Sequence, residues 1–243
     1  MIGIVVVSHS PALANAAVEL ASEMAGDAPP RIRVAAGAAG GATGTDAVAI
    51  AAAIDEAASP DGVLVVTDLG SAILSAEMSL EFRASTVPVR LSAGPFVEGL
   101  IAAVVSAGSG ASLDDVEIEA RGALEAKRTH VEGSAGAPAA HEPASPDPAP
   151  PGTASFDAVL CNPSGLHARP AALFVKTVAR HDARVQVRDL DTGKGPVSAK
   201  SLVALMALGV GQGAHVRIDA EGTDAAAVLD ELRSLIDDGF GET

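Results

Sequence analysis

The chain has 243 residues, a net charge of −15 and no Trp or Tyr, so it has room for two modest domains with cores of small aliphatic side chains. Its acidity excludes the basic stripe that nucleic-acid binding needs, and we expect no nucleic-acid partner. No apolar run is long enough to span a membrane, and the single cysteine, Cys161, has no disulfide partner within the chain. We therefore expect a cytoplasmic protein with no membrane-inserted segment.

The first half of the chain alternates predicted strands and helices. Residues 1–7 form an uninterrupted apolar run, which is typical of a buried parallel strand, and Pro88 favours an edge position for the last strand. The alternation predicts a doubly wound α/β domain with a mostly parallel sheet over residues 1–128. Further strands are predicted at 31–34, 62–67 and 87–91, and helices after Pro11, at 47–54, after Asp68, at 95–106 and at 112–128.

A histidine, His9, follows the first predicted strand and precedes a helix that begins near Pro11. In open α/β sheets, ligands bind at the carboxyl ends of the strands, which places His9 at the ligand-binding edge. The glycine-containing loop at 36–46 matches neither the Walker motif nor the dinucleotide-binding motif, and on its own it is more typical of a flexible crossover.

Six short segments of this half resemble the phosphotransfer subunits of dihydroxyacetone kinases, whose first domain has the mannose-type IIA fold of the phosphotransferase system. The resemblance covers residues 1–128 and implies that His9 is the phosphorylated histidine of that family. The segments are 6–10 (VVSHS), 44–46 (GTD), 68–72 (DLGSA), 76–77 (AE), 97–99 (VEG) and 123–128 (ALEAKR).

The loops at the same sheet edge supply candidate partners for His9. We expect Asp68 to accept the second N–H of the imidazole and so to fix its tautomer. Backbone amides of glycine-containing turns are candidates for holding phosphoryl oxygens, although each of these residues could instead serve only its turn. The turn residues are Gly44, Thr45, Gly70 and Ser71.

Residues 129–154 have a different composition from both flanking regions. Six prolines lie between Pro138 and Pro151, among Ala, Ser, Gly and acidic residues, and no apolar period survives. The composition predicts a linker between two domains.

Residues 155–243 predict a second domain with the order βαββαβα, an α+β antiparallel open-faced sandwich. Its most informative stretch is 165–171 (GLHARPA). Pro170 favours the first turn of a helix, so His167 lies at a helix N-terminus, where unpaired amides and the helix dipole favour an anion. Arg169 adds donors that suit phosphate oxygens. The remaining strands are predicted near 156–161, 184–190, 194–198 and 213–220, with helices after Ser201 and at 224–238.

The second domain resembles the phosphocarrier protein HPr of the phosphoenolpyruvate-dependent phosphotransferase system. The resemblance implies that His167 carries a transient phosphoryl group, supported by Ala168 and Arg169. It also aligns Ser201 with a serine that a regulatory kinase phosphorylates in some HPr proteins, whereas a helix cap is the simpler interpretation of that serine. The resemblance rests on 165–171, 197–202 (VSAKSL), 207–210 (ALGV) and 213–218 (GAHVRI).

Together the two resemblances imply a phosphoryl carrier that relays phosphate from enzyme I through an HPr histidine to His9. From there the phosphoryl group passes to ADP on the nucleotide subunit of dihydroxyacetone kinase, and on to dihydroxyacetone bound by the third subunit. Longer family members continue into part of enzyme I, so we expect this chain to use enzyme I in trans. No cofactor or metal is expected, and the IIA domain is expected to form a homodimer.

Three questions stay open at this point. The donor to His9 is either the fused HPr domain or a separate HPr. The chain could instead be a IIA–HPr fusion of a sugar transport system. It could also be a regulatory module whose phosphorylation state controls a partner.

Overall fold

The computed structural model describes residues 1–26, 28–38, 42–134 and 154–242. The chain divides into two compact units, Met1–Leu124 and Glu125–Thr243. Most of the predicted linker, residues 135–153, lies outside the described residues. None of the helices in the described ranges is both long and apolar enough to cross a membrane.

The first unit has a four-stranded sheet in the order β2-β1-β3-β4, and every neighbouring pair is parallel. The predicted parallel α/β architecture is therefore confirmed. The strands are β1 (Gly3–Ser8), β2 (Arg31–Ala36), β3 (Val63–Thr67) and β4 (Val89–Ser92), and the helices are α1 (Pro11–Glu23), α2 (Ala47–Ala57), α3 (Gly70–Ser79), α4 (Phe96–Gly108) and α5 (Leu113–Ser134).

Helices cover both faces of this sheet because successive side chains of a strand point to opposite sides. Ile4 and Val6 of β1 pack in a core with residues of α1, α4 and α5. Val5 and Val7 pack in a second core with residues of α2 and α3. All four side chains are fully buried, which explains why β1 reads as a continuous apolar run.

The edge strand β4 agrees with the sequence prediction, whereas the last helix, α5, is longer than predicted. Within the described ranges β4 pairs only with β3, so the edge position predicted from Pro88 is confirmed. α5 begins in the first unit and continues past its end at Leu124 to Ser134, six residues beyond the predicted domain end at 128. The physical reason is that the first helix-breaking proline after Leu113 is Pro138.

The second unit has an antiparallel sheet in the order β5-β8-β6-β7, and its elements follow the predicted βαββαβα order. The strand predicted over 194–198 is shorter than expected, because Gly193 and Gly195 have positive φ and precede Pro196 in a turn. The elements are β5 (Ala154–Val159), α6 (Ala168–Ala179), β6 (Ala183–Asp189), β7 (Val197–Ser198), α7 (Leu202–Ala207), β8 (His215–Gly222) and α8 (Ala225–Asp237).

The core of the second unit lies between its sheet and its helices. Val185 and Val187 of β6 are buried and alternate with more exposed neighbours. Phe174 of α6 and Leu232 of α8 are fully buried. This layer holds the N-terminus of α6, which carries His167, in a fixed place relative to the sheet.

Candidate functional site

His9 lies immediately after β1, at the carboxyl edge of the parallel sheet. Its carbonyl oxygen accepts a hydrogen bond from the Gly44 N–H at 3.2 Å. The next residue, Ser10, caps α1 by accepting the Leu13 N–H at 3.3 Å. The backbone on both sides of His9 is therefore anchored, and the imidazole projects from a rigid turn.

Asp68 follows β3, the strand that lies beside β1, and holds His9 at two points. One carboxylate oxygen, Oδ2, accepts the His9 backbone N–H at 2.8 Å, and Oδ1 lies 2.9 Å from Nδ1 of the ring. The Ser8 hydroxyl and the Leu69 N–H also donate to this carboxylate, at 2.9 and 2.7 Å. The predicted proximity of Asp68 and His9 is thus present in the structure.

The Asp68 carboxylate is well suited to stay ionised, although only 7% of its side chain is exposed. Burial alone would raise its pKa, but the hydrogen bonds from the His9 backbone, the His9 ring, Ser8 and Leu69 outweigh burial and hold the pKa below its ordinary value. An ionised carboxylate only accepts hydrogen bonds. Nδ1 of His9 therefore carries the proton, and the lone pair lies on Nε2.

The other ring nitrogen of His9, Nε2, faces the start of α3. The Ser71 hydroxyl lies 2.9 Å from Nε2. No side chain caps this helix at Leu69, and within the described part of the chain the N–H groups of Gly70 and Ser71 donate to no protein acceptor. Free amides at a helix N-terminus favour an anion.

The sequence makes the Gly44 and Thr45 amides candidates either for holding phosphoryl oxygens or for serving only their turn, and the role of Thr45 stays a prediction. The Gly44 N–H already donates to the His9 carbonyl, so the structure gives this amide a positioning contact rather than a free donor for phosphate. The Thr45 hydroxyl lies 2.7 Å from the Ser75 hydroxyl of α3. Gly44 has a φ of 152°, and an added Cβ would lie 3.0 Å from the Ala38 Cβ, so the turn favours glycine.

His167 is the N-cap residue of α6, as the sequence predicts. Gly165, two residues earlier, has a φ of 62°, and an added Cβ would lie 2.1 Å from the Val210 carbonyl oxygen. Only glycine fits there, which explains the first residue of the motif. Among the described residues, the N–H groups of Ala168 and Arg169 have no protein acceptor, and the Arg169 side chain is exposed without an ion pair. These donors are free for an anion.

In His167 the carboxylate contacts Nε2 of the ring, whereas in His9 it contacts Nδ1. Its Nε2 lies 2.8 Å from Oε1 of Glu242, and Asn162 donates to Oε2 of the same carboxylate at 3.1 Å. Burial would raise the Glu242 pKa, but the contacts with Asn162 and His167 and the nearby Arg169 charge lower it overall. The Nε2–H is thus bound to an ionised carboxylate, which leaves the lone pair on Nδ1.

Glu242 and Asn162 are site residues that the sequence analysis missed. Glu242 lies 75 residues after His167, in no recognisable motif, and reaches the ring only through the turn that follows α8. Asn162 precedes the motif by a few residues, and only its burial distinguishes it from an ordinary turn residue. Ser201 is the N-cap of α7 and accepts the Ala204 N–H at 3.0 Å. Its regulatory role stays a prediction.

Comparison with known families agrees with the two-unit architecture. The model of the family described as "PTS system fructose IIA component" matches residues 3–117. The model of "PTS HPr component phosphorylation site" matches residues 154–238. The two models thus match separate parts of the chain, a IIA component in the first half followed by an HPr component in the second.

Relatives of known name share both parts. The "PEP-dependent dihydroxyacetone kinase, phosphoryl donor subunit DhaM" of Escherichia coli (strain K12) is 39% identical over 100% of this chain and 51% of its own length. The DhaM subunit of Klebsiella michiganensis is 38% identical, with the same coverage. The "Multiphosphoryl transfer protein" of Haemophilus influenzae is 43% identical over 35% of this chain and 17% of its own length.

Over its full length the chain is thus a homologue of the DhaM subunits. It spans about half the length of these curated relatives.

Proposed function

We propose that the chain is a phosphoryl carrier of the phosphoenolpyruvate-dependent phosphotransferase system that serves dihydroxyacetone kinase. Phosphate would pass from enzyme I to Nδ1 of His167, then to Nε2 of His9, and then to ADP bound by the nucleotide subunit of the kinase. Dihydroxyacetone on the third subunit would be the final acceptor. The protein would act in the cytoplasm as a phosphotransferase subunit.

One observation carries this proposal: each histidine has one ring nitrogen bound to a carboxylate and lies next to a helix N-terminus whose first amides are free among the described residues. The carboxylate oxygen lies 2.9 Å from Nδ1 in His9 and 2.8 Å from Nε2 in His167. An unprotonated nitrogen beside anion-binding donors is what attack on a phosphoryl group requires. The full-length similarity to DhaM subunits supports the kinase as acceptor.

Phosphoryl transfer between two imidazoles needs few catalytic groups beyond this arrangement. The lone pair of the acceptor nitrogen forms the new N–P bond while the donor N–P bond breaks, and the electron pair of the broken bond stays on the donor nitrogen. Catalysis then depends on positioning and on stabilising the charge of the phosphoryl oxygens. Both are supplied by the helix N-termini at Gly70 and Ala168.

Reconstitution tests the proposed function directly. The chain is combined with phosphoenolpyruvate, enzyme I, and the nucleotide and dihydroxyacetone subunits of the kinase, and dihydroxyacetone phosphate is measured. Formation of product that depends on the chain supports the proposal. If both histidines become phosphorylated but no dihydroxyacetone phosphate forms, the kinase is not the acceptor, and a transport or regulatory partner takes its place.

Arg169→Ala should slow phosphorylation of His167 by enzyme I about tenfold to a hundredfold, because the exposed guanidinium is a charge-assisted donor beside the helix N-terminus. Phosphorylation of His9 by a separate HPr should be unchanged. The rates are measured with radiolabelled phosphoenolpyruvate. Arg184→Ala, which removes another exposed arginine of the second unit, should leave both rates as in the wild type. Equal loss at both histidines would contradict the assigned role.

The fused HPr domain should donate to His9 without free HPr, because linking two sites in one chain gives effective concentrations of about a millimolar. Wild-type chain is compared with a mixture of His9→Ala and His167→Ala chains at saturating enzyme I and phosphoenolpyruvate. On roughly hundredfold dilution, relay per molecule in the mixture should fall about a hundredfold, whereas wild-type relay should not change.

If the two variants formed mixed homodimers, transfer between the protomers would also be independent of dilution. Each variant is therefore allowed to form its own homodimer before the two are mixed. If wild-type His9 stays unphosphorylated until free HPr is added, the fused domain is not its donor.

A further inference from the structure

The segment after α8 has an unusual backbone. Gly239, Phe240 and Gly241 have φ values of 60°, 58° and 71° in succession. Among the described residues, Phe240 is the one non-glycine residue with positive φ, a conformation that bulky side chains rarely adopt. Its side chain is only 3% exposed. Burial of the ring therefore holds the backbone in a left-handed turn that its own preference opposes.

This turn places the Glu242 side chain next to the His167 ring. The Glu242 N–H closes the turn on the Gly239 carbonyl at 3.0 Å. The side chain then reaches back, and its carboxylate lies 2.8 Å from Nε2 of His167. The Glu242 side chain is 18% exposed and the His167 side chain is 41% exposed, so the carboxylate is the more buried member of the pair.

Asn162 orients that carboxylate. It is 1% exposed, and its Nδ2 donates to Oε2 of Glu242 at 3.1 Å and to the Gly165 carbonyl at 2.8 Å. Both neighbours are acceptors, so the amide nitrogen must face them. Its Oδ1 is then buried without a hydrogen-bond partner in the described part of the chain. A buried unpaired oxygen destabilises a fold, which indicates that the contact with Glu242 is maintained for the site.

We propose that Glu242 is a positioning residue for phosphoryl transfer at His167, held in place by the left-handed turn at 239–241. The proposal rests on the proposed function, since it assigns a role at the same site. In the resting protein, Glu242 binds the Nε2–H and keeps the lone pair on Nδ1. When Nδ1 forms the N–P bond, the ring retains the Nε2–H and gains a positive charge, which the carboxylate stabilises.

A first experiment removes the charge of Glu242 and keeps its shape. In Glu242→Gln, nitrogen NMR of the unphosphorylated imidazole should show the preference for the Nε2–H tautomer weakened about fivefold. At a fixed ratio of phosphoenolpyruvate to pyruvate, with enzyme I present, the ratio of phosphorylated to free His167 should also fall about fivefold. Asp237→Asn removes an exposed carboxylate at the end of α8 and should change neither quantity.

A second experiment perturbs the turn without touching a side-chain contact. Gly241→Ala and Gly193→Ala both add a methyl group at positive φ, 71° and 75°, and at each the added Cβ has no atom of the described residues within 4 Å, apart from the glycine and its chain neighbours. Both should lower the thermal midpoint by a similar amount because the backbone penalty is the same. Only Gly241→Ala should also weaken the tautomer preference and lower the phosphorylated fraction of His167.

The two experiments separate the inference from the proposed function. If wild-type His167 accepts no phosphoryl group from enzyme I, the proposed function fails, while the tautomer measurement still decides what Glu242 does. The positioning role is overturned if Glu242→Gln keeps the wild-type tautomer preference, or if Gly193→Ala alters His167 as much as Gly241→Ala does.

Discussion

His9→Ala should reduce dihydroxyacetone phosphate formation by at least about a thousandfold, because the variant loses the nucleophile that carries the phosphoryl group to the kinase. His167 should still accept phosphate from enzyme I at the wild-type rate, so the phosphoryl group should accumulate on the HPr domain. Both quantities are read from the same reconstituted assay with radiolabelled phosphoenolpyruvate.

The fold should tolerate this change. The His9 ring is partly exposed. Two hydrogen bonds anchor the His9 backbone, one from the Gly44 N–H and one to the Asp68 carboxylate, and neither involves the His9 imidazole. A circular-dichroism spectrum and a thermal midpoint within a few degrees of the wild type would verify this. Full turnover by such a folded variant would remove His9 from the pathway.

His215→Ala is the matched control for this substitution. Asp191 holds His215 at the same two points, with Oδ2 2.8 Å from the backbone N–H and Oδ1 3.0 Å from Nδ1. His215 lies at the start of β8 instead of beside a helix N-terminus. Because it lacks the anion-binding amides, we expect its removal to leave turnover unchanged. The comparison tests whether a carboxylate-bound imidazole is sufficient for the relay.

The sequence predicted the parts of the site that follow from strand order. The carboxyl ends of neighbouring parallel strands meet at one edge of a sheet, so Asp68 after β3 could be placed beside His9 after β1. His167 could be placed at a helix N-terminus from Pro170 and the apolar-periodic run that follows it. Both placements are found in the structure.

The parts that were missed depend on backbone geometry that leaves little trace in the sequence. Glu242 reaches His167 through a left-handed turn in which a buried phenylalanine has positive φ, and propensity argues against such a turn. The Gly44 amide was a candidate either for holding phosphate or for serving its turn, and in the structure it donates to the His9 carbonyl, 35 residues earlier in the chain. α5 continues past residue 128, where the apolar periodicity ends, because the first proline lies further along the chain.

Asp68→Asn should lower the rate of phosphoryl acceptance at His9 by about a hundredfold to ten-thousandfold, because a side-chain amide cannot fix the tautomer as a carboxylate does. If its oxygen faces Nδ1, its NH₂ group faces the His9 backbone N–H, and two donors oppose each other. If it is turned round, the NH₂ group donates to Nδ1, and the proton moves to Nε2. In the second case the nitrogen beside Ser71 has no lone pair with which to attack.

The same substitution should also change how stability depends on pH. Asp68 accepts four hydrogen bonds in a nearly buried site, so its replacement should cost about 1–3 kcal/mol of unfolding free energy at pH 7. The folded-state pKa lies below the ordinary value of 3.8. The stabilisation is therefore complete above that value and is lost as the pH falls through the folded-state pKa.

Denaturant unfolding at pH 7 and pH 3 checks this dependence. The difference in stability between wild type and Asp68→Asn should be largest at pH 7 and should narrow below about pH 4. Asp191→Asn is the control, since it alters the equivalent contact with His215 at an exposed position, where we expect a loss below about 1 kcal/mol. If Asp68→Asn accepts phosphate at the wild-type rate while its stability falls as expected, Asp68 supports only the fold, and another group must set the tautomer of His9.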